Sequence, residues 1–498
     1  MNYRSSAQAE ESLGIFYAGS AISALSVAFG IALSVGACAT TNPRALPDPP
    51  ARPALPSSPA LVQLQRDVDF ILAQPLLGHG FWGVLVKSLN TDDTLYAVNA
   101  GRLMMPASNM KVVTLAAAAE RLGWDYRYET RFLAAADGAA DRVFGDIADR
   151  MKQLGIRTIA GRIVGDDHAL DDQMLGFGWS WDDLADDYAA GVSALQFNEN
   201  AVRATVAPGP AVGDSAAVSL SASGGGLTIV NAVTTGAPGT PPTITTHRLP
   251  GRAWLELRGS IPLDAAASNL TVSVDNPTLF FVTALRNALI AHGIDVHGPA
   301  VDGDEVANGR APAGASPLLS YQSAPLSTLA LRLMKASQNQ YAETFLKTMG
   351  AAAGTPTAAG GRTVAQTILE RWGVPAGALI QRDGSGLSRY DYVTPEALVT
   401  ILTHIDRDDR LRGPFEASLP IAGRDGSLSN RMKGTPAEGN ARAKTGSMSN
   451  VRALSGYVTT ADGEPLAFAI IATNFEVPAD AITGATDAIV VRLAAFRR

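Results

Sequence analysis

Ser108 and Lys111, in the stretch MMPASNMKVVTLAAAAERLG (residues 104–123), stand three positions apart. On a helix that spacing places both side chains on one face, so an amine can approach a hydroxyl. A serine hydroxyl is a weak nucleophile near neutral pH and needs a base. Lysine can be that base only when its amine is neutral, and an apolar setting or a second nearby cation favours the neutral form. The residues after Lys111 are almost wholly apolar. Alone, Ser-x-x-Lys is a weak signal, because an ordinary first helical turn with a solvated lysine has the same pattern.

Two further stretches change the reading. SQN places Ser337 and Asn339 at the junction of two helical patterns, where a turn can aim a hydroxyl and a carboxamide to one side. RAKTGS places Lys444, Thr445, Gly446 and Ser447 just before the strand pattern VRALSGYV. There lysine offers a cation and threonine a hydroxyl, and glycine lets a ligand lie close to the backbone. A lysine at 444 would also crowd Lys111, and like charges hold one amine neutral.

The elements that must position these groups are legible. ALVQLQRDVDFILAQ has helical spacing; WGVLVKSL and TLYAVNA read as a hairpin. From about residue 136 to 312 short strand patterns (AVRATVA, LTIVNAV, AWLELRG, LTVSV) alternate with Gly, Pro and Asp, and only the segments around GDIADRMKQLG and TLFFVTALRNALIAHG read as helices. From 313 helices return, including TPEALVTILTHI with Thr394 as N-cap and Pro395 at its first position. VRALSGYVTT and PLAFAIIATNF read as paired strands before a closing helix. The expected fold class is α/β (α+β): an antiparallel sheet built from both chain ends, flanked by helices and interrupted by a large β-rich insertion. The expected segments are 60–135 and 313–498 for the helix-and-sheet body and 136–312 for the insertion.

The ordered set Ser-x-x-Lys, Ser-x-Asn and Lys-Thr-Gly resembles that of penicillin-binding proteins and β-lactamases. With the blocks GWSWDDL, SQNQYAETF, DGSGLSRYDYVTP and LPIAGRDGSLSNRMKGTPAEGNARAKTGS, the chain resembles the class C low-molecular-mass penicillin-binding proteins, the D-alanyl-D-alanine carboxypeptidase/endopeptidase family S13, over roughly residues 60 to 495. The resemblance implies a transpeptidase/β-lactamase-like serine acyltransferase fold that acts on peptidoglycan stem peptides and is acylated by β-lactams. It implies Ser108 as the acylated nucleophile, Lys111 as its base, and Ser337 with Lys444 as the proton relay to the leaving amine. Asn339 would hold the peptide backbone, Lys444 and Thr445 the terminal carboxylate, and Ser108 and Ser447 the oxyanion. Asp166 in GRIVGDDH and Arg389 in GLSRYD would meet the peptidoglycan side chain. The chain departs from the family pattern in Ser447, where threonine is common, and in a short LAAADGAADRVFGDIADRM segment. A β-lactamase and a catalytically silent peptidoglycan-binding lipoprotein are the alternatives; the first lacks an identifiable deacylating base and the second does not need this set.

The 498 residues carry 46% hydrophobic and 17% charged residues and a net charge of −7, which reads as globular and offers no basic surface for nucleic acid. The six histidines form no His-Glu-x-x-His pair, and there is no Gly-rich phosphate loop or Gly-x-Ser-x-Gly elbow, so no metal or cofactor is expected. The single cysteine, Cys38, excludes an internal disulfide. It closes an uncharged run from Leu13 to Ala37, and LSVGAC resembles a lipobox. Residues 1–38 therefore read as an export leader with lipidation at Cys38, and 39–59, rich in proline, as a stiff tether between a membrane anchor and the body. The expected location is the periplasm or cell envelope.

Overall fold

The computed structural model describes residues 58–132, 140–221, 227–249, 251–252, 254–307, 309–310 and 318–498. The leader, Cys38 and nearly all of the proline-rich linker lie outside the described residues. So does part of the shortened segment after residue 132.

The chain ends meet in one sheet. Its five strands run in the order Arg442–Met448, Val451–Thr459, Pro465–Thr473, Phe81–Ser88 and Thr94–Val98, antiparallel throughout. The strand Pro465–Thr473 shows why this sheet lies inside. Leu466, Phe468, Ile470 and Ala472 point into one apolar cluster, while Ala467, Ala469 and Ile471 point into another. Successive side chains alternate between faces, so a strand apolar at every position must be covered on both. The helices Pro59–Leu72 and Ala479–Ala494 cover the first face, through Leu64, Val68, Ile482, Ile489 and Leu493. The second face meets the helix Met110–Leu122, around which pack Leu326–Lys335, Asn339–Ala351, Ala358–Arg371, Pro395–Arg407 and Asp409–Ser418. Met110–Leu122 is central because it is small and greasy: every residue from Met110 to Ala119 is buried. Thr394 caps Pro395–Arg407 by accepting from the Ala397 amide, with Pro395 at the first position.

The insertion has its own core. Phe144, Phe197, Phe280 and Phe281 stack in a chain of rings 5.1–5.4 Å apart. Around them lie the helices Ala140–Gln153 and Pro277–Ala291 and two three-stranded sheets. One sheet pairs Ala201–Ala207 with Ser268–Ser273 and Ala217–Leu220, and the other holds a parallel pair, Thr228–Gly236 with Trp254–Pro262. Entry and exit strands close the insertion by pairing Glu129–Phe132 with Leu319–Gln322. Its neck therefore lies a few residues outside the expected 136–312 at each end, because a two-strand neck satisfies backbone groups that a loop would leave unpaired.

One strand was not expected: Lys444–Ser447 do precede the strand Val451–Thr459, but they also lie within a strand of their own, the edge strand Arg442–Met448. RAKTGSM has little hydrophobic alternation because that strand owes its place to its neighbour and to the turn packed on it.

Candidate active site

The turn carrying Ser108 is not the first turn of its helix. Ala107–Asn109 form a 3₁₀ turn before the helix begins at Met110, with Ala107 at φ 46°. That left-handed conformation is costly for a residue with a Cβ and persists only where the surroundings enforce it. Two glycines do so. A Cβ on Gly386, itself at φ +83°, would meet the Ala107 carbonyl oxygen at 1.8 Å. A Cβ on Gly446 would meet the Pro106 oxygen at 2.6 Å. The glycine of Lys-Thr-Gly thus makes room for the serine turn; from the sequence it was expected to make room for a ligand. Buried Asn109 fastens the same contact, with its carboxamide oriented to donate to the Lys444 carbonyl (2.8 Å) and accept from the Leu454 amide (3.1 Å).

Lys111 is fully buried, and its Nζ has three partners: Ser108 Oγ at 2.9 Å, Asn339 Oδ1 at 2.5 Å and the Ser385 carbonyl at 2.9 Å. Asn339 is oriented by donating its own Nδ2 to the Tyr188 carbonyl at 2.7 Å. The last two partners of Lys111 can only accept. A neutral amine has two N–H bonds for them and one lone pair left, which faces the Ser108 hydroxyl. Burial pulls the Lys111 amine down to about 7, against the opposing pull of Asp383, Glu343 and Asp391. A buried lysine with such a value can hold or release a proton near neutral pH.

Lys444 is also fully buried, and donates to Ser337 Oγ (2.8 Å) and to the Thr445 carbonyl (2.8 Å). Its amine lies well below the usual range, first through burial and then through the charge of Lys111. The expected crowding of two cations is therefore present, but it bears on Lys444, and burial is what lowers Lys111. Lys444 attends Ser337, which sits at φ 61° between its two helices. Thr445 Oγ1 lies 2.7 Å from Ser427 Oγ, and Gly446 is buried while Ser447 is exposed. Arg389 is exposed and donates to Asn450 Oδ1 (3.1 Å), in the turn that follows the Lys-Thr-Gly strand.

Asp166 accepts from the ring and the backbone N–H of His168 (2.8 and 3.3 Å). The insertion reaches the site through Trp179, whose Nε1 donates to Asp383 (2.9 Å), and through the Tyr188 carbonyl. One cluster among the described residues has metal-ligand types, Asp167, His168 and Asp304. There the imidazole already contacts Asp166 and Asp304.

The sequence reading missed a belt of buried carboxylates. Glu343 accepts from the amides of Gly384 (2.9 Å) and Ser385 (2.8 Å). Asp383 accepts from Gly386 and Ser388 (both 2.7 Å), and Asp391 from Arg382 (2.5 Å). Together they fold the loop that presents the Ser385 carbonyl to Lys111. The only sequence signal was the density of Asp, Gly and Ser in RDGSGLSRYD, which reads as turn chemistry. Asp391 Oδ2 is buried with no donor to accept from, beside Asp383. Burial and the Asp383 charge hold this carboxyl well above the ordinary range, and as an acid it can donate to its neighbour. A raised folded value means that folding takes up a proton, so stability falls as pH rises from about 4 towards that value, by up to about 1.4 kcal/mol per pH unit. Asp391→Asn keeps a donor and cannot ionise. Urea midpoints should therefore show the variant gaining on the parent chain as pH rises above the ordinary carboxylate range; a pH-independent difference would exclude a buried acid here.

A family model described as the D-Ala-D-Ala carboxypeptidase 3 (S13) family matches residues 64–496. A D-alanyl-D-alanine carboxypeptidase of Actinomadura sp. (strain R39) is 36% identical over 469 residues, covering 88% of this chain and 85% of the relative. The D-alanyl-D-alanine carboxypeptidase DacB of Haemophilus influenzae is 26% identical over 415 residues, covering 78% and 84%. The crystal structure of penicillin-binding protein 4 (DacB) from Haemophilus influenzae superposes with a TM-score of 0.72 at 24% identity, over 82% of this chain and 94% of that one.

Proposed function

The chain belongs to the D-Ala-D-Ala carboxypeptidase 3 (S13) family and is a serine-type D-alanyl-D-alanine carboxypeptidase; from that premise we propose that it cleaves the terminal peptide bond of peptidoglycan stem peptides through an acyl-enzyme on Ser108. The observation that carries the assignment is the buried Lys111 Nζ within 2.9 Å of Ser108 Oγ, its other two contacts being the acceptors Asn339 Oδ1 and the Ser385 carbonyl.

Lys111 Nζ takes the Ser108 proton as Oγ attacks the carbonyl carbon of the penultimate D-alanine. The oxyanion is held by the backbone N–H groups of Ser108 and Ser447, which supply electrostatic stabilisation. The leaving amine of the terminal D-alanine must be protonated, and Ser337 Oγ passes it a proton that Lys444, 2.8 Å away, helps to supply. The amine departs as free D-alanine, or as the amine of a cross-bridge when the substrate is cross-linked. Lys111 gives up the proton it took to the Ser337–Lys444 pair as that pair protonates the leaving amine, so it is neutral again when water attacks the Ser108 ester; it then takes the water's proton and returns it to Ser108 Oγ as the acyl group leaves. Asn339 holds the peptide backbone, Lys444 and Thr445 the terminal carboxylate, and Arg389 an acidic group of the side chain. A β-lactam acylates Ser108 by the same attack.

The test uses purified protein with a fluorescent penicillin, and with monomeric and cross-linked muropeptides. A stable adduct on Ser108 with D-alanine release supports the reading. Rapid turnover of the drug would instead mark a β-lactamase, and no adduct a binding protein.

The chain is further proposed to be exported and anchored by lipid at Cys38, with residues 39–59 as tether and the cell envelope as its place of action. The support is LSVGAC after an uncharged run. Among the described residues no helix is long and apolar enough to cross a membrane. In a Gram-negative host, Cys38→Ala should abolish labelling by radioactive palmitate and move the protein out of the washed membrane fraction. Unlabelled parent protein, or membrane retention equal in the variant, would exclude the anchor.

A further inference from the structure

Among the described hydrogen bonds, one joins the insertion to the buried carboxylate belt: Trp179 Nε1 donates to Asp383 Oδ2 at 2.9 Å. The indole is aimed by its own loop. A Cβ on Gly176 would meet Trp179 Nε1 at 2.2 Å, so the ring folds back over a residue that must have no side chain. Gly178, at φ +78°, lets the loop lie against Tyr390, whose ring a Cβ there would meet at 2.4 Å. Phe177 packs on the same ring, with centroids 5.6 Å apart. Two glycines and an aromatic pair thus seat the loop 176–179 on the loop 383–391, with the indole N–H on a single carboxylate.

That carboxylate organises the site. Asp383 is fully buried. Its Oδ1 accepts from the amides of Gly386 (2.7 Å) and Ser385 (3.1 Å), and its Oδ2 from the Ser388 amide (2.7 Å), the Ser385 hydroxyl (3.2 Å) and Trp179. Every donor but Trp179 belongs to the loop itself, so the indole ties this carboxylate to another part of the molecule. Ser385 stands between Asp383 and Lys111: its amide is held by Asp383 and Glu343, and its carbonyl lies 2.9 Å from Lys111 Nζ. The charged groups that face Lys111 are Asp383 and Asp391 from this loop, Glu343 from the helix Asn339–Ala351 and Lys444 from the edge strand. Glu343 and Asp391 face Asp383 as well. Of the three carboxylates, Asp383 opposes the effect of burial on Lys111 most strongly.

We propose that Trp179 is a positioning residue for acylation: through its N–H to Asp383, the insertion holds the Ser385 carbonyl and the charge of the belt against Lys111. The inference rests on Lys111 as the base of Ser108, and it adds to that reading a group from outside the catalytic body, which acts through Asp383. Without the indole N–H a buried carboxylate has one donor fewer, which disfavours its charge. Less negative charge beside Lys111 favours the neutral amine down to lower pH, and a loosened Ser385 carbonyl costs alignment.

The test is the second-order rate of acylation by benzylpenicillin, measured on the full chain from about pH 5 to 9. Two variants are compared with the parent: Trp179→Phe, and the chain with benzothienylalanine in place of Trp179, which has the shape of tryptophan and no N–H. Both should lower the plateau by about tenfold. Both should also move the midpoint of the rising limb to lower pH, by at least about half a unit. Phe177→Leu loses the ring contact with Tyr390 but keeps the N–H, and should leave the midpoint where the parent has it. Urea midpoints check folding. A lower plateau with an unmoved midpoint in the folded variants would make Trp179 a mere prop for its loop and overturn the proposal. So would a limb moved to higher pH, unchanged rates, or an equal shift in Phe177→Leu. If Trp179→Phe does not fold, the isostere decides; if the isostere does not fold either, the N–H serves the fold alone and the proposal fails. A parent chain without a limb would remove Lys111 as the base, and this proposal with it, whereas a limb shared unchanged by parent and variants sinks the Trp179 role alone.

Discussion

Ser108→Ala should release no measurable D-alanine from a stem-peptide mimic and form no adduct with a fluorescent penicillin, while its urea midpoint stays close to that of the parent chain. The loss is expected to be at least about a thousandfold, because without an oxygen on residue 108 no acyl-enzyme can form and only oxyanion stabilisation and binding remain. The fold should tolerate the change. Ser108 Oγ hydrogen-bonds only to Lys111 among the described contacts, and Lys111 keeps Asn339 and Ser385 as partners. The turn is held by Gly386, Gly446 and Asn109 through backbone contacts that the hydroxyl does not touch. Residual D-alanine release within about tenfold of the parent chain would show that another residue is the nucleophile.

The second large effect concerns Lys111. Lys111→Ala should lose acylation by roughly a hundred- to ten-thousandfold, the range for a positioned general base. Because Ala leaves a void beside Asn339 Oδ1 and the Ser385 carbonyl, Lys111→Met is the companion variant that keeps the volume. The parent chain should also show a pH signature. The base acts when unprotonated, and burial sets its value at about 7. The second-order rate of acylation by benzylpenicillin should therefore rise with pH below about 7 and level off above it. The methionine variant should lose both the rate and this limb. A parent rate flat from about pH 5 to 9, or near-normal labelling of both variants, would remove Lys111 from the base role.

The comparison of the two lysines shows where sequence reasoning stops. Their chemistry is legible in part: a hydroxyl and an amine three apart at the head of a greasy helix can act as nucleophile and base where the amine is buried. That both amines are fully buried is not legible. Lys444 was expected both to crowd Lys111 and to serve Ser337; its amine donates to Ser337 Oγ, because the edge strand that carries it docks on the Pro106–Asn109 turn through Gly446. The insertion's contacts with the site through Trp179 and Tyr188 were not read from the sequence. A loop's route over a surface depends on packing between two cores, and no local pattern encodes it.

By itself the sequence determined the helices and central strands, since apolar periodicity of 3.6 or 2 is a property of neighbouring residues. It also determined the inventory of reactive groups: Ser108, Lys111, Ser337, Asn339 and Lys444. The tertiary structure alone decided the buried belt of Glu343, Asp383 and Asp391 and the carbonyls of Ser385 and Tyr188 that orient Lys111 and Asn339. These contacts join residues as far apart as Lys111 and Ser385, and backbone carbonyls have no residue type to read. A pKa is set by everything within a few ångströms, whatever its distance along the chain, so the protonation state on which the chemistry turns is a property of the fold.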